Sequence, residues 1–245
     1  MDVVILGGGA SGAAITAACT RLGLNARLAS RSTGFDLTRD DPTTLGPADV
    51  FIEATGINTI NARTATEFFT QSATCVSTAA NHYDALHIQL SIVGCDRPKV
   101  RDYGYYTGKI AQENTAKASS RRLSIVRTTQ WFEFGVQVMQ RNHIGPFGLV
   151  PSMRIQPLAL SAAAQVLAEC AAGVRREDRI DVAGPQELTL LDLARRSPRP
   201  RGLIPTPIVL PTGYGKAFRN GGLLPDPGTE VVGPTFEHWL HTTGR

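Results

Sequence analysis

The chain opens MDVVILGGGASGAAITAACTRLG, and no other stretch restricts the fold as strongly. Val3 to Leu6 make a short apolar run that stops at glycine; too brief for a helix, it reads as a buried strand. Ala13 to Leu22 is alanine-rich with only small or polar interruptions, a helix that Gly23 ends. Strand, glycine turn and helix is the setting in which Gly7-x-Gly9-x-x-Gly12 holds a dinucleotide. The glycines allow a tight turn and let backbone N–H groups, with Ala10 and Ser11 between them, approach a pyrophosphate at the positive helix end. The plainer alternative is a strand–helix turn with no ligand. A signal peptide does not fit, because Asp2 replaces a basic start and glycines break the apolar run.

The remaining composition suits that fold. At 245 residues, 42% hydrophobic and 19% charged, the chain can bury a large core in one domain or one domain with a small lobe. Cysteines at 19, 75, 95 and 170 have neither metal-type spacing nor close pairing, and read as reduced core thiols of a cytoplasmic protein. His82, His87 and His143 are scattered, so no metal site is expected. The net charge of +4 is dispersed; its densest group, Arg195-Arg196 with Arg199 and Arg201, sits among prolines and reads as a solvated loop, so no nucleic-acid partner is expected. Leu158 to Val174 is apolar, but Ser161, Gln165 and Glu169 recur every four residues, the polar edge of an amphipathic helix and not a membrane span.

The second strand, Ala26 to Ala29, ends in Ser30-Arg31-Ser32, where a carboxylate would be expected to take the ribose hydroxyls of NAD or FAD. An arginine between two hydroxyls suits a 2′-phosphate, which points to NADP(H) over NAD(H). FAD is disfavoured, since the glycine cluster is flavoprotein-like but no acidic partner or later FAD motif follows. Strand and helix signals then alternate as a doubly wound parallel sheet requires: a strand over 49–54 ending in Thr55-Gly56, a helix over 63–80, and strands over 86–93 and 123–126. Thr55, Gly56 and Ser91 should crowd the crevice at the strands' carboxyl ends, and His82 and Tyr83 are weaker candidates for it. Tyr105 and Lys109 stand four apart at the start of a helix, so both project from one face. An ammonium beside a phenol favours the phenolate, which would let Tyr105 exchange a proton near neutrality, and the same lysine could hold ribose hydroxyls.

The runs LSIVGCD, GYYTGKIAQENTAKAS and LSIVRTTQWFEF, continued by RIQPLALSAAAQVLAE and VAGPQELTLLDLARR, resemble the atypical short-chain dehydrogenase/reductase family on its NmrA-like, NAD(P)H-binding branch. The resemblance implies a Rossmann core over 1–150, a smaller substrate lobe interleaved with it over 151–245, and NADP(H) as ligand. It places Gly7, Gly9 and Gly12 in the phosphate loop, Arg31 on the 2′-phosphate and Asp36 on the adenine amino group. Ser91, Tyr105 and Lys109 become the catalytic set, and Thr129, Gln130 and Trp131 the loop beside the nicotinamide. Trp131, Phe132 and Phe134 are candidates for an apolar wall over the ring, with core packing favoured for Phe134; Asn81 is the only candidate for a tetrad asparagine. The family's Gly-x-x-Gly-x-x-Gly loop is not kept, for Gly7, Ala10 and Ala13 fill those positions. The proline- and glycine-rich stretch 198–234, with Tyr214, Lys216, Phe218 and Arg219, is expected to be irregular and to shape the substrate lobe.

The expected activity is hydride transfer between NADP(H) and a small carbonyl, quinone or enone. Two alternatives share the same binding core: a non-catalytic NADP(H) sensor that docks a protein partner, and a cofactor-using isomerase or cyclase.

Overall fold

The computed structural model of the chain describes residues 1–198 and 202–243. Arg199 and Arg201 of the basic group lie outside the described residues. In chain order the elements are β1 (Asp2–Leu6), α1 (Ala10–Arg21), β2 (Asn25–Ala29), β3 (Val50–Glu53), α2 (Ala62–His82), β4 (Leu86–Ile92), α3 (Gly104–Ser119) and β5 (Leu123–Thr128). There follow α4 (Phe134–Arg141), β6 (His143–Ile144), β7 (Phe147–Pro151), β8 (Arg154–Ile155), α5 (Leu160–Ala171) and β9 (Arg179–Ala183). The last are β10 (Leu188–Thr189), α6 (Leu190–Arg196), β11 (Ile204–Ile208), α7 (Gly213–Arg219), β12 (Glu230–Val231) and α8 (Phe236–Thr243).

Seven strands form one sheet in the order β12-β9-β5-β4-β3-β1-β2. β1 pairs in parallel with both β2 and β3, β3 with β4, and β9 with β12. This is the α/β parallel-sheet class that the alternating pattern predicts. The chain leaves β1 for β2 on one side and returns to β3 on the other, so the topological switch point falls at the carboxyl ends of β1 and β3. Between β2 and β3 there is no further strand. Residues 30–49 form two 3-10 turns, Arg31–Thr33 and Pro42–Leu45, which leaves β2 at the sheet edge. A groove of about 640 Å³ runs beside that edge, lined by Arg27, Ala29, Phe35, Arg39, Thr44 and Leu45 among others.

The chain divides into two compact units whose segments alternate along the sequence. One comprises Met1–Ile92, Tyr103–Arg127 and Ala163–Asp181; the other comprises Val93–Asp102, Thr128–Ala162 and the described residues from Val182 onward. In the first unit, Val3 to Leu6 and all of β3 are buried, and Val4, Leu6, Phe51, Val76 and Ala79 share one apolar cluster. α2 packs closely on α3 because Gly104 and Gly108 carry no Cβ. A methyl group on Gly108 would lie 2.7 Å from Ala65 and 2.8 Å from the Phe69 ring, and one on Gly104 would run into the Ile60 carbonyl.

In the second unit, β11, β7 and β6 make a three-stranded sheet, and Phe132 packs between Phe236 and Trp239 with centroids 5.1 and 5.4 Å away. Within the stretch 198–234, the described part over 202–234 is more regular than its composition predicts, since it contains β11, α7 and β12. β11 tolerates its two prolines because Ile204 and Ile208 bond toward β7, which turns Pro205 and Pro207 to the outer edge where no donor is needed.

Element bounds otherwise fall close to the predicted ones. The main shift is α1, which begins at Ala10 with Gly9 as its N-cap, so the helix starts inside the glycine loop itself. His82 and Tyr83 do not reach the crevice: α2 ends beside the amino ends of the strands, where the Tyr83 hydroxyl donates to the Thr43 carbonyl at 2.5 Å. Asn81 is held at the far ends of α2 and α3, donating to Ser119 O at 2.7 Å and accepting from the Arg121 N–H at 2.9 Å, so it is no tetrad asparagine.

Candidate functional site

At the switch point the loop after β1 meets the loop after β3. Gly7 has φ +136°, and a Cβ there would strike the Ala54 carbonyl, so this position accepts only glycine. Gly12 is equally constrained, for a side chain would collide with the Gly7 carbonyl and with Leu28. Gly9 differs. It is exposed, and a Cβ built on it meets no protein atom within 4 Å. It caps α1 without a side-chain hydrogen bond, and no acidic residue lies in the first turn. Ala10 is exposed beside it, while the half-buried Ser11 hydroxyl donates to Ala54 O at 3.4 Å.

Ser30, Arg31 and Ser32 follow β2. A Cβ on Gly8 would lie 3.0 Å from Ser30 Oγ and 3.7 Å from Ser32 Oγ, so these hydroxyls stand against the glycine loop. They also bond to each other at 2.9 Å. Arg31 is exposed, and among the described residues its guanidinium has neither a hydrogen bond nor an ion pair. Asp36 is oriented locally: its Oδ1 accepts from the Thr38 hydroxyl at 2.7 Å and the Thr38 N–H at 3.0 Å. Those hydrogen bonds hold its carboxyl below the usual carboxylate range.

Thr55 is half-buried and Gly56 exposed at the end of β3; a Cβ on Gly56 would lie 3.8 Å from the Tyr105 hydroxyl. The Tyr105 ring rests edge-on against Phe69 with centroids 5.5 Å apart. The same Phe69 ring carries the Lys109 ammonium 4.8 Å from its centroid. The helix therefore presents Tyr105 at the crevice, while Lys109, expected beside the phenol and on ribose hydroxyls, has its ammonium inside the protein. It is only 2% exposed, and its ammonium donates to Leu90 O at 2.7 Å and to Gln112 Oε1. Ser91 is buried as well and donates to Glu113 Oε1 at 2.6 Å.

Behind the pair lies a polar layer that the sequence reading missed. The buried Glu53 accepts through Oε1 from Ser72 Oγ and Gln112 Nε2, and its Oε2 stands 3.2 Å from His87 Nε2. His87 Nδ1 meets Ser120 Oγ at 2.8 Å, and Thr55 Oγ1 meets Ser72 Oγ at 2.8 Å. Burial pushes the Glu53 carboxyl up, but the hydrogen bonds and charge of His87, with Ser72 and Gln112, bring it below its usual value. The signal was present in LHIQLSI, where His87, Gln89 and Ser91 alternate and so share one strand face.

Thr129, Gln130, Trp131 and Phe132 belong to the second unit. Thr129 is buried and donates to Gln156 O at 2.6 Å, and Trp131 Nε1 donates to Thr128 Oγ1 at 3.2 Å. Both polar atoms of the Gln130 amide are buried without a hydrogen-bond partner among the described residues. Phe132, at 1% exposure, is core and not a wall over a ring.

No protein-family model and no curated protein matches this sequence. Solved structures do share its fold. A dTDP-4-dehydrorhamnose reductase from Bacillus anthracis in complex with NADP superposes with a TM-score of 0.69 at 12% identity, covering 98% of this chain and 97% of that one. A UDP-N-acetylglucosamine 4-epimerase from Bacillus cereus gives 0.63 at 12% identity over 97% and 91% of the chains. A triphenylmethane reductase from Citrobacter complexed with NADP(H) gives 0.59 at 12% identity over 93% and 85%. At that identity the likeness establishes a common fold.

Proposed function

We propose that this chain is an NADP(H)-binding oxidoreductase of the short-chain dehydrogenase/reductase type, on the NmrA-like branch its motifs resemble, acting on a small carbonyl, quinone or enone. The observation that carries this reading is the pattern of open and filled positions. Gly7 and Gly12 are required by the protein's own packing, whereas Gly9 and Arg31 are left open where a pyrophosphate and a 2′-phosphate would approach. Two of the reductases that share the fold hold NADP or NADP(H).

On this reading the uncapped N–H groups at the start of α1 take the pyrophosphate, and Arg31 with Ser30 and Ser32 takes the 2′-phosphate. When bound, the nicotinamide supplies the hydride. Tyr105, its ring fixed by Phe69, gives its phenolic proton to the substrate oxygen as charge develops there. Lys109 supports this as a buried positive charge on the same helix face that favours the phenolate. Ser91 serves Glu113 and takes no direct part in proton donation.

One observation favours the sensor reading instead: Ser91 and Lys109 both direct their donors into the protein. Tyr105→Phe separates the two. A reductase loses turnover of carbonyl, quinone and enone substrates by about a hundredfold or more while keeping NADPH affinity. A wild-type protein that binds NADPH yet turns over none of them is the sensor.

A further inference from the structure

Glu53 lies in the last position of β3, and its carboxylate is fully buried. A carboxylate only accepts hydrogen bonds, so it fixes the orientation of any amide that touches it. Gln112 must present its NH₂ group to Glu53 Oε1, which turns its carbonyl oxygen toward the Lys109 ammonium. Glu53 is itself held by four side chains, with Ser72, Gln112 and, at 3.4 Å, Thr55 on Oε1 and His87 on Oε2. His87 is oriented in turn by Ser120 at 2.8 Å on its other ring nitrogen. Leu90 O, which also accepts from the lysine, belongs to the backbone of β4 and cannot adjust.

We infer that Glu53 is the positioning residue of the Tyr105–Lys109 pair: through the orientation it imposes on Gln112, it fixes the place and the charge of the Lys109 ammonium. The inference rests on the reading of that pair as the working one. It also explains why a carboxylate, expensive to bury, occupies a strand whose other residues are apolar.

The test is NMR of protein carrying ¹³C,¹⁵N-labelled lysine, recorded without nucleotide. The chain has four lysines, at 99, 109, 117 and 216, and Lys109→Arg identifies the signal. Glu53→Gln replaces a group that can only accept by one that can also donate, so Gln112 is no longer obliged to point its oxygen at the ammonium. The Lys109 titration should then fall by up to about one to two pH units, the size of one lost hydrogen bond to a charge. The other three signals should stay in place. Glu53→Gln combined with Gln112→Glu moves the carboxylate next to the lysine and should restore the wild-type position. An unchanged Lys109 in Glu53→Gln, or no recovery in the double variant, overturns the inference.

Should Glu53→Gln fail to fold, the wild type still decides. The Gln112 side-chain amide should exchange with solvent far more slowly than an exposed glutamine, and free exchange overturns the proposal. An NADPH titration on the same samples separates this from the functional reading. NADPH binding with an insensitive Lys109 overturns the positioning role alone; a sensitive Lys109 without NADPH binding supports the positioning and removes the cofactor reading.

Discussion

Arg127→Leu probes the buried ion pair between Arg127 and Glu113 in the first unit. Arg127 and Glu113 are 4% and 3% exposed, and the Arg127 Nε and Nη2 atoms each donate at 2.7 Å to separate oxygens of Glu113. Ser91 adds a hydroxyl at 2.6 Å, while Lys117 stands farther off at 3.4 Å. Burial alone would push the Glu113 carboxyl up, but Arg127 and Ser91 outweigh it and hold it below its usual value. Removing one partner of such a pair costs about 3–5 kcal/mol, because the other charge stays buried. At about 2–4 °C per kcal/mol for a chain of this size, Tm should fall by about 6–20 °C.

The pH dependence has a definite sign. In the wild type the depressed carboxyl stabilises the fold above the unfolded value near ~4.3, and that contribution is lost as pH falls through the folded value. In the variant, burial is no longer opposed by the guanidinium, so the carboxyl titrates above the unfolded value and acid relieves the penalty. The stability gap should therefore be widest at pH 8 and narrow toward pH 5, measured by urea unfolding followed by far-UV circular dichroism. A gap below about 1 kcal/mol at pH 8, the size of an exposed pair, would refute the reasoning. So would a gap that widens on acidification.

Other outcomes follow from single positions. Gly9→Ala should fold with a loss of no more than about 1 kcal/mol, the cost of a poorer N-cap, since a Cβ there meets no protein atom, yet bind NADPH at least about tenfold more weakly; Gly12→Ala should be strongly destabilised. Both are read by thermal melts beside nucleotide titration. Gln89→Met should stabilise the protein by about 1 kcal/mol or more in urea, because it removes a fully buried amide with no hydrogen-bond partner among the described residues. Burial pushes the Cys19 thiol up to about 11 and those of Cys75 and Cys170 to about 12, so none of these should react with a thiol reagent at pH 8 until the protein unfolds.

The sheet was legible because its strands announce themselves. DVVIL and DVFIEA are mostly apolar runs closed by a glycine turn, and α2 keeps an apolar period of about 3.6 residues through Ala65, Phe69, Ala73, Val76 and Ala80. Gly9 and Arg31 could be named from the sequence because a glycine cluster and an arginine between two serines stand out there, while their exposure is a property of the fold. What stayed hidden was direction. Nothing in the spacing of Tyr105 and Lys109 tells that the phenol reaches the crevice while the ammonium turns to Leu90 O, because that depends on Glu53 and Gln112, which are 59 positions apart. Phe132 misled because an aromatic beside a predicted loop reads alike as core and as ligand wall, and only Phe236 and Trp239 decide it. The regularity of β11 was masked by its prolines, which composition counts as breakers but an edge strand tolerates.

The most direct test of the account is calorimetric titration of NADPH and then NADH into the wild-type protein and into Arg31→Ala. The account predicts that NADPH binds at least about tenfold more tightly than NADH, the worth of one charge-assisted phosphate contact, and that Arg31→Ala abolishes the difference while leaving NADH unchanged. Equal affinities for the two nucleotides, or binding of neither by a folded protein, would contradict it.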